Sequence, residues 1–254
     1  MRIAYIHGAD IPIKHFGGGF IEMMNTMLAS FAAHSDVDRV ICALDPSPVE
    51  LKHRIKVKWP TTFIEPLRWK EGLHYPDIRI PTMCKALNTF AKEGDEILSL
   101  EADLLFTGDP YDVFEFGFHI GIPQRSQWVA CAPVNIGFFA MRWDNLTRQF
   151  MRFWDEQVRE PSHELVLRYH RLGSAAGRTV EENVPNAILS GLSTGQLTVL
   201  PSEYNWYPSE MDLQTPDVSA VQFREKFNNP GRCRVLHFKG DNKQVMAELG
   251  GHRD

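Results

Sequence analysis

The sequence has few cysteines, no long hydrophobic run and no excess of positive charge. Its four cysteines lie far apart among apolar neighbours, at positions 42, 84, 131 and 233. This spacing argues against a zinc site and favours buried thiols in a reducing compartment. No apolar run approaches the roughly 20 residues that span a bilayer, and the chain starts without a basic-then-apolar leader. We therefore expect a cytoplasmic protein with no transmembrane segment.

The charge balance argues against general binding to nucleic acid or to an anionic membrane. There are 27 Lys and Arg residues against 32 Asp and Glu residues, which gives a net charge of −5. One local basic run, Lys52, Arg54, Lys56 and Lys58, is either a solvated face or a docking surface for a polyanionic acceptor. With 254 residues, 43% of them hydrophobic, the chain can bury a full core without disulfides.

Hydrophobic periodicity predicts alternating strands and helices, which is typical of an α/β protein. We expect a single domain, with a nucleotide-binding half over residues 1–110 and a more mixed half over 111–254. The predicted strands are 2–7, 37–44, 61–64, 97–100, 127–131, 134–141, 196–200 and 234–238. The predicted helices are 20–33, 83–91, 143–159, 162–172 and 180–191.

An acidic pair, Glu101 and Asp103, interrupts an apolar run between residues 97 and 106. Apolar residues on both sides indicate a buried strand that ends at the pair, and open α/β sheets bind ligands at such strand ends. The pair suits a divalent cation, although solvated loop carboxylates are the alternative. His7 and Gly8 end the first strand, where a base or ribose would lie. The glycines at 17–19 are either a phosphate-binding loop or a mobile loop.

Several motifs from residue 101 onward occur in a recognisable order. Glu101-Ala102-Asp103, followed by Gly108-Asp109 and a short apolar segment, is similar to a D-x-D motif. Asn135-Ile136-Gly137 is similar to an Asn-x-Gly strand beside a donor sugar. Glu181-Glu182-Asn183 looks like an acidic helix start that faces a reaction centre. Together these motifs resemble GT-A-fold glycosyltransferases, particularly the glycogenin-like and bacterial lipopolysaccharide galactosyltransferase group.

The C-terminal motifs extend this resemblance. Leu200-Pro201 with Tyr204-Asn205 resembles a pair of motifs that follows the acidic helix, and His237-Phe238-Lys239-Gly240 with Lys243 resembles H-x-x-G-x-x-K. One departure concerns Glu101, which stands where the family has an aspartate. The five motifs cover roughly residues 95–243.

The resemblance implies a GT-A-like (Rossmann-like) fold with a mixed, mostly parallel sheet flanked by helices. It also implies a Mn²⁺ or Mg²⁺ ion held by Glu101, Asp103 and His237, and carboxylate and imidazole groups are suitable ligands for Mn²⁺. It places Glu182 and Asn135 at the reaction centre and makes residues 111–254 the half that binds donor sugar and acceptor. The residues expected to bind the nucleotide sugar are His7, Gly8, Arg79, Lys85, Glu101, Asn135, Gly137, Gly240 and Lys243.

Each of these residues also has a purely structural interpretation. Asn135 could cap a turn, and His237 could be a core or edge residue. Glu182 could be an ordinary acidic residue at a helix start, stabilised by the helix dipole. Arg79 and Lys85 could lie on a solvated helix surface. Tyr204, Trp206 and Tyr207 either fill the core or form a stacking platform for an acceptor.

The resemblance implies hexose transfer from a nucleotide-diphosphate sugar, UDP-linked, to an acceptor hydroxyl with retention of the anomeric configuration. The acceptor class stays open among glycans, lipid-linked sugars, proteins and nucleic acids, as does the oligomeric state. Two alternatives are a sugar nucleotidyltransferase and a protein that keeps the fold and binds nucleotide without turnover. A nucleotidyltransferase would need a glycine-rich phosphate loop after the first strand, for which Lys14 and the glycines at 17–19 are the candidates.

Overall fold

A computed structural model describes residues 1–13, 18–71, 73, 75–125, 134–163, 184–186, 197–206, 233–238, 243 and 246. The described part of the chain contains eleven strands and four α-helices. The strands are β1 (Arg2–Ala9), β2 (Pro12–Ile13), β3 (Gly18–Gly19), β4 (Arg39–Asp45), β5 (Thr61–Ile64), β6 (Glu96–Leu100), β7 (Leu104–Phe106), β8 (Ile120–Pro123), β9 (Phe138–Arg142), β10 (Leu197–Leu200) and β11 (Val235–His237). The helices are α1 (Phe20–His34), α2 (Pro48–Leu51), α3 (Tyr75–Phe90) and α4 (Asn145–Arg159).

Seven strands form one mixed sheet in the order β10-β8-β9-β6-β1-β4-β5. Strands β6, β1, β4 and β5 run parallel to one another, as do β10 and β8, whereas β9 runs antiparallel to both β6 and β8. This architecture confirms the predicted GT-A-like, mostly parallel sheet flanked by helices. The division into halves at residue 110 stays a prediction, and the sheet takes strands from both halves.

The sheet is covered on both faces, as the apolar strands predict. Along β1, Ala4 and Ile6 join a core with α1 and β7, while Ile3 and Tyr5 join a core with α3 and α4. Alternation between faces follows from the two-residue period of a strand. All four of these β1 side chains are fully buried. Strand β1 is therefore packed on both of its faces.

Two predicted elements differ from the structure. Helix α3 begins at Tyr75, eight residues before the predicted start, and it accommodates Pro81 within its length. A proline normally interrupts a helix because it lacks an N–H donor, so a helix that runs through Pro81 departs from the local sequence preference. The predicted strand 134–141 is shorter at its beginning, because residues 135–137 form a turn and β9 starts only at Phe138.

Other predictions were close, incomplete or outside the described residues. Gly18 and Gly19 pair with β2 as the short strand β3 rather than forming part of a loop. Strand β8 has no predicted counterpart, because its four residues include a glycine and a proline. The predicted strand 127–131 falls outside the described residues. So does nearly all of the predicted helices 162–172 and 180–191.

Cys42, Cys84 and Cys233 are free thiols, and burial raises the pKa of each one. Cys131 lies outside the described residues. The cytoplasmic location stays a prediction. None of the helices in the described part of the chain has the length and apolar character needed to cross a bilayer.

Candidate metal and donor site

The acidic pair lies directly beyond the carboxyl end of β6, where the apolar run predicted it. Glu101 follows the last residue of β6, and Asp103 precedes β7. Both residues therefore sit in a short turn between two buried strands, beside the carboxyl end of β1. The Asp103 side chain is 8% exposed and that of Glu101 is 17% exposed. These carboxylates are enclosed by protein, unlike ordinary surface acids.

Strand pairing brings His237 to this turn. In the antiparallel pair of β11 and β7, His237 lies opposite Leu104, the residue after Asp103. The Phe238 amide donates to the Asp103 carbonyl at 2.9 Å, which holds the end of β11 against the turn. The register of two three-residue strands thus connects positions 103 and 237, which are far apart in sequence.

The three side chains meet closely enough to share one ion. His237 Nε2 lies 3.1 Å from Asp103 Oδ1 and 3.5 Å from Glu101 Oε2, and one ligand atom from each residue lies within 4.8 Å of the others. Ligands at right angles around a cation, at bonds of about 2.1 to 2.5 Å, lie about 3.0 to 3.5 Å apart. The spacing and the O,O,N donor set therefore fit a divalent cation such as Mn²⁺ or Mg²⁺.

Asn205 orients the imidazole, a role that the sequence did not reveal. Its Oδ1 lies 2.7 Å from His237 Nδ1, and both side chains are fully buried. A metal-bound imidazole would carry its proton on Nδ1, facing the amide oxygen, and would offer the lone pair of Nε2 to the cation. Three electron-rich atoms at these distances suit a cation between them. The available signal was the Tyr204-Asn205 motif, but nothing local connects it with a histidine 32 residues later.

Gly137 leaves room for the cluster. A Cβ atom at this position would lie 2.2 Å from His237 Cε1 and 2.8 Å from Glu101 Oε2, much closer than real contacts. The Gly137 amide donates to Asn135 Oδ1, and the Gly137 carbonyl accepts from the Glu101 amide, each at 2.9 Å. Asn135 therefore shapes the turn before β9, as its structural interpretation proposed. Its additional role at the donor stays a prediction.

Arg79 holds the second oxygen of Glu101. The Arg79 side chain is 2% exposed on α3, with Nη1 donating to Glu101 Oε1 at 2.5 Å and Nη2 donating to the Ile136 carbonyl at 3.3 Å. The guanidinium takes Oε1 while Oε2 points toward His237. The longer side chain of glutamate at position 101 thus reaches both Arg79 and the cluster. Arg79 lies inside the protein, in contrast to the solvated surface considered as its alternative.

Lys243 also contacts the cluster. Its Nζ lies 3.2 Å from Asp103 Oδ2, on the oxygen that does not face His237. The sequence predicted Lys243 beside a diphosphate, and this structure, which carries no nucleotide, pairs it with a carboxylate of the proposed metal site. That predicted role stays open and is taken up below.

The remaining predicted donor residues fall into three groups. His7 and Gly8 lie at the carboxyl end of β1, next to β6, but a Cβ at Gly8 would meet Leu44 at 3.0 Å and Met24 at 3.1 Å. Close packing against α1 and β4 therefore accounts for glycine at position 8. Lys85 is exposed on α3, on a different face from the buried Arg79. Glu182 and Gly240 lie outside the described residues.

The structure also shows where the aromatic residues near position 204 and the basic run 52–58 lie. Tyr204 is buried and stacks on Phe138 with ring centroids 6.1 Å apart, so it belongs to the core, whereas Trp206 is partly exposed. Tyr207 is outside the described residues. In the basic run, Arg54 pairs with Asp10 and Glu22, and Lys58 lies 3.9 Å from Asp36. These ion pairs neutralise part of the run, as expected of a solvated face.

His7 gives a pH-dependent stability that can be measured. Burial lowers its pKa from 6.5 to about 3, and repulsion from Arg79 and Arg68 adds to the shift. Between these values the unfolded chain binds a proton that the folded protein does not. The free energy of unfolding should therefore fall as the pH drops below 6.5, by up to about 1.4 kcal/mol per pH unit. Urea unfolding at pH 7 and pH 5 measures this change.

The control for this experiment is a matched pair of histidine variants. His7→Gln should reduce the difference in unfolding free energy between pH 7 and pH 5 by about 2 kcal/mol. His53→Gln, at an exposed position, should leave the difference unchanged. An equal pH dependence in His7→Gln and the parent protein would contradict the neutral, buried state of His7.

The effect of Asn205 on the imidazole is also testable. Asn205→Ala removes the acceptor that holds the Nδ1 proton, so we expect Mn²⁺ affinity in the presence of UDP to fall about 10- to 100-fold. Asn205→Asp keeps an acceptor and should restore most of the affinity. Calorimetric titration measures both values, and Asn88→Ala, on the surface of α3, is the matched control. Unchanged affinity in Asn205→Ala would show that the imidazole does not need this partner.

Comparison with known proteins supports the fold. No protein-family model matches the chain, and no curated protein matches it by sequence. Solved structures do match. The glycosyltransferase GlyE of Streptococcus pneumoniae TIGR4 matches with a TM-score of 0.56 and 17% identity over 98% of this chain. The match covers 61% of the GlyE chain, so this protein spans less than two thirds of that neighbour.

Two further structures are similar over almost their whole length. Mouse xyloside xylosyltransferase 1 has a TM-score of 0.58 and 13% identity, and the match covers 95% of this chain and 99% of that one. A glycosyltransferase involved in glycosylation of the major capsid of PBCV-1 has a TM-score of 0.54 and 9% identity, with 99% of both chains covered. At these identities the likeness establishes the fold. The chain therefore has a glycosyltransferase fold, with a cluster suited to a cation at the carboxyl edge of its sheet.

Proposed function

We propose that this protein is a metal-dependent glycosyltransferase that moves a hexose from a nucleotide-diphosphate sugar, UDP-linked, to an acceptor hydroxyl with retention. The observation that carries the proposal is the convergence of Glu101, Asp103 and His237 on one point. This cluster lies at the carboxyl edge of a sheet shared with solved glycosyltransferases. Glycan, lipid-linked, protein and nucleic-acid acceptors all remain compatible with this proposal.

The chemistry of the reaction explains why such a site needs these groups. Breaking the bond between sugar and diphosphate leaves negative charge on the leaving nucleoside diphosphate, and a bound divalent cation would neutralise that charge. Asp103, His237 and Oε2 of Glu101 would hold the ion. Arg79 keeps the Glu101 carboxylate oriented through Oε1. No general acid is required for a leaving group stabilised in this way.

The protein also fixes these ligands before any substrate arrives. The His237 imidazole is held by Asn205, and the Glu101 backbone is tied to Gly137. Because the groups are already oriented and enclosed, little reorganisation is needed when charge develops on the leaving group. Asn135, Gly137 and Glu182 would line the donor-sugar side of the site.

One assay tests the proposal and separates its alternatives. The protein is incubated with Mn²⁺ and a panel of UDP- and GDP-sugars, and release of the nucleoside diphosphate is followed. We expect metal-dependent release from a UDP-sugar, which chelation of the metal should abolish. Pyrophosphate release from a nucleoside triphosphate and a sugar phosphate would instead favour the nucleotidyltransferase. Calorimetric UDP binding without donor consumption would favour a protein that binds nucleotide without turnover, and silence in every arm would defeat the proposal.

A further inference from the structure

The proposed metal site carries its own counter-charges. Glu101 and Asp103 bring two negative charges, and both are in contact with a cationic side chain. Arg79 lies against Glu101 Oε1, and Lys243 Nζ lies 3.2 Å from Asp103 Oδ2. Among the described residues of the cluster, two carboxylates and two cations cancel. With a neutral imidazole at His237 as the metal ligand, the formal charges of these five described side chains add up to zero.

Lys243 and Arg79 differ in how firmly they are placed. Arg79 is 2% exposed and makes a second hydrogen bond to the Ile136 carbonyl. The Lys243 side chain is 20% exposed, and its ammonium is a single point charge on a flexible stem. Moving the Lys243 ammonium away from Asp103 therefore costs less free energy than moving Arg79 away from Glu101, because Arg79 is held in the protein interior.

We infer that Lys243 acts as an internal placeholder for the cation, so that the site accepts a divalent metal together with a polyphosphate anion rather than the metal alone. A dication entering the balanced site adds two positive charges beside Arg79 and Lys243. An excess of positive charge raises the electrostatic free energy of an enclosed site and so weakens binding of the metal alone. A diphosphate ligand supplies the missing negative charge, and the ammonium released from Asp103 becomes available to it.

This inference rests on the proposed function and adds a thermodynamic rule to it. Metal and nucleotide must strengthen each other's binding, because each removes the charge excess that the other creates. Lys243 opposes the metal when no anion is present and assists the anion once the metal is bound. Its removal should therefore change the two affinities in opposite directions, an outcome that loss of an ordinary binding residue does not produce.

The test measures Mn²⁺ binding to the full chain by electron paramagnetic resonance, with and without UDP. In the parent protein we expect UDP to tighten Mn²⁺ binding about 5- to 150-fold. Lys243→Met should tighten Mn²⁺ binding in the absence of UDP by about tenfold, while weakening UDP binding at saturating Mn²⁺ by a similar factor. Lys243→Arg keeps the charge and should behave like the parent protein.

Two comparisons keep the result interpretable. Lys52→Met removes one positive charge at an exposed position outside the site and should change neither affinity. Lys243→Gln serves as a second neutral variant, and thermal unfolding of each variant shows that it is folded. Both neutral variants at position 243 are expected to give the same opposite changes.

The outcomes distinguish this inference from the proposed function. If UDP and Mn²⁺ bind cooperatively but both neutral variants leave metal-only affinity unchanged or weaker, Lys243 is not a placeholder, and the glycosyltransferase proposal is unaffected. If the opposite changes appear but no nucleoside diphosphate is released from any donor, the placeholder role stands and the transferase proposal falls. If Mn²⁺ fails to bind the parent protein even with UDP, both are overturned.

Discussion

Asp103→Asn should abolish metal-dependent donor cleavage almost completely. The substitution keeps the size of the side chain but removes the negative charge that lies 3.1 Å from His237 Nε2. A neutral amide is a poor ligand for Mn²⁺, and a bound metal contributes several kcal/mol to the stabilisation of leaving-group charge. We therefore expect nucleoside diphosphate release to fall by about 10³-fold. Rates measured at saturating Mn²⁺ and donor give this value.

A nearby aspartate provides the matched control. Asp112 is exposed and lies 3.3 Å from Arg234, outside the cluster. Asp112→Asn removes the same charge from the same residue type, and we expect the rate of nucleoside diphosphate release to change by no more than about twofold.

Asp103→Asn should also lose UDP-dependent Mn²⁺ binding, and it should still unfold cooperatively, which shows that the variant is folded. Activity within tenfold of the parent protein would rule out Asp103 as a metal ligand.

Gly137→Ala should weaken metal binding without direct loss of any ligand. The new methyl group would lie 2.2 Å from His237 Cε1 and 2.8 Å from Glu101 Oε2, so both side chains must move. The imidazole has little room, because it is fully buried and held by Asn205. We expect Mn²⁺ affinity in the presence of UDP to fall about 100-fold, and stability to fall by about 1 to 3 kcal/mol. Calorimetry and urea unfolding measure the two effects.

A double-mutant cycle identifies the atoms responsible. In a His237→Ala background the imidazole is absent, so Gly137→Ala should cost less stability than it does in the parent protein. The difference between the two costs is the energy of the clash between positions 137 and 237. Equal costs in both backgrounds would show that the alanine methyl group disturbs something other than the imidazole.

The position of the acidic pair was predictable from the sequence, because its signal is local. A strand buried on both faces is continuously apolar, and its end is marked by the first charged residues, Glu101 and Asp103. The order of motifs then predicted a mostly parallel sheet of the GT-A type. His237 was predicted as the third ligand from the resemblance alone.

Sequence patterns did not predict the contacts between residues that are far apart in the sequence. The Asn205–His237 hydrogen bond and the Arg79–Glu101 ion pair join residues 32 and 22 positions apart, and no local periodicity encodes either one. Arg79 in particular was compatible with a solvated helix face. Its burial depends on where α3 packs on the sheet, and the predicted helix, 83–91, did not include position 79.

By itself the sequence determined the α/β character, the buried strands and the residue types from which a cation site could be built, because hydrophobic period and charge act over a few residues. Tertiary structure alone decided which of those residues meet. The antiparallel register of β11 on β7 sets His237 beside Asp103, and the turn before β9 leaves space at Gly137 for the imidazole and the Glu101 carboxylate. Register is fixed by which faces of the strands are buried together, and burial is a property of the whole packed chain.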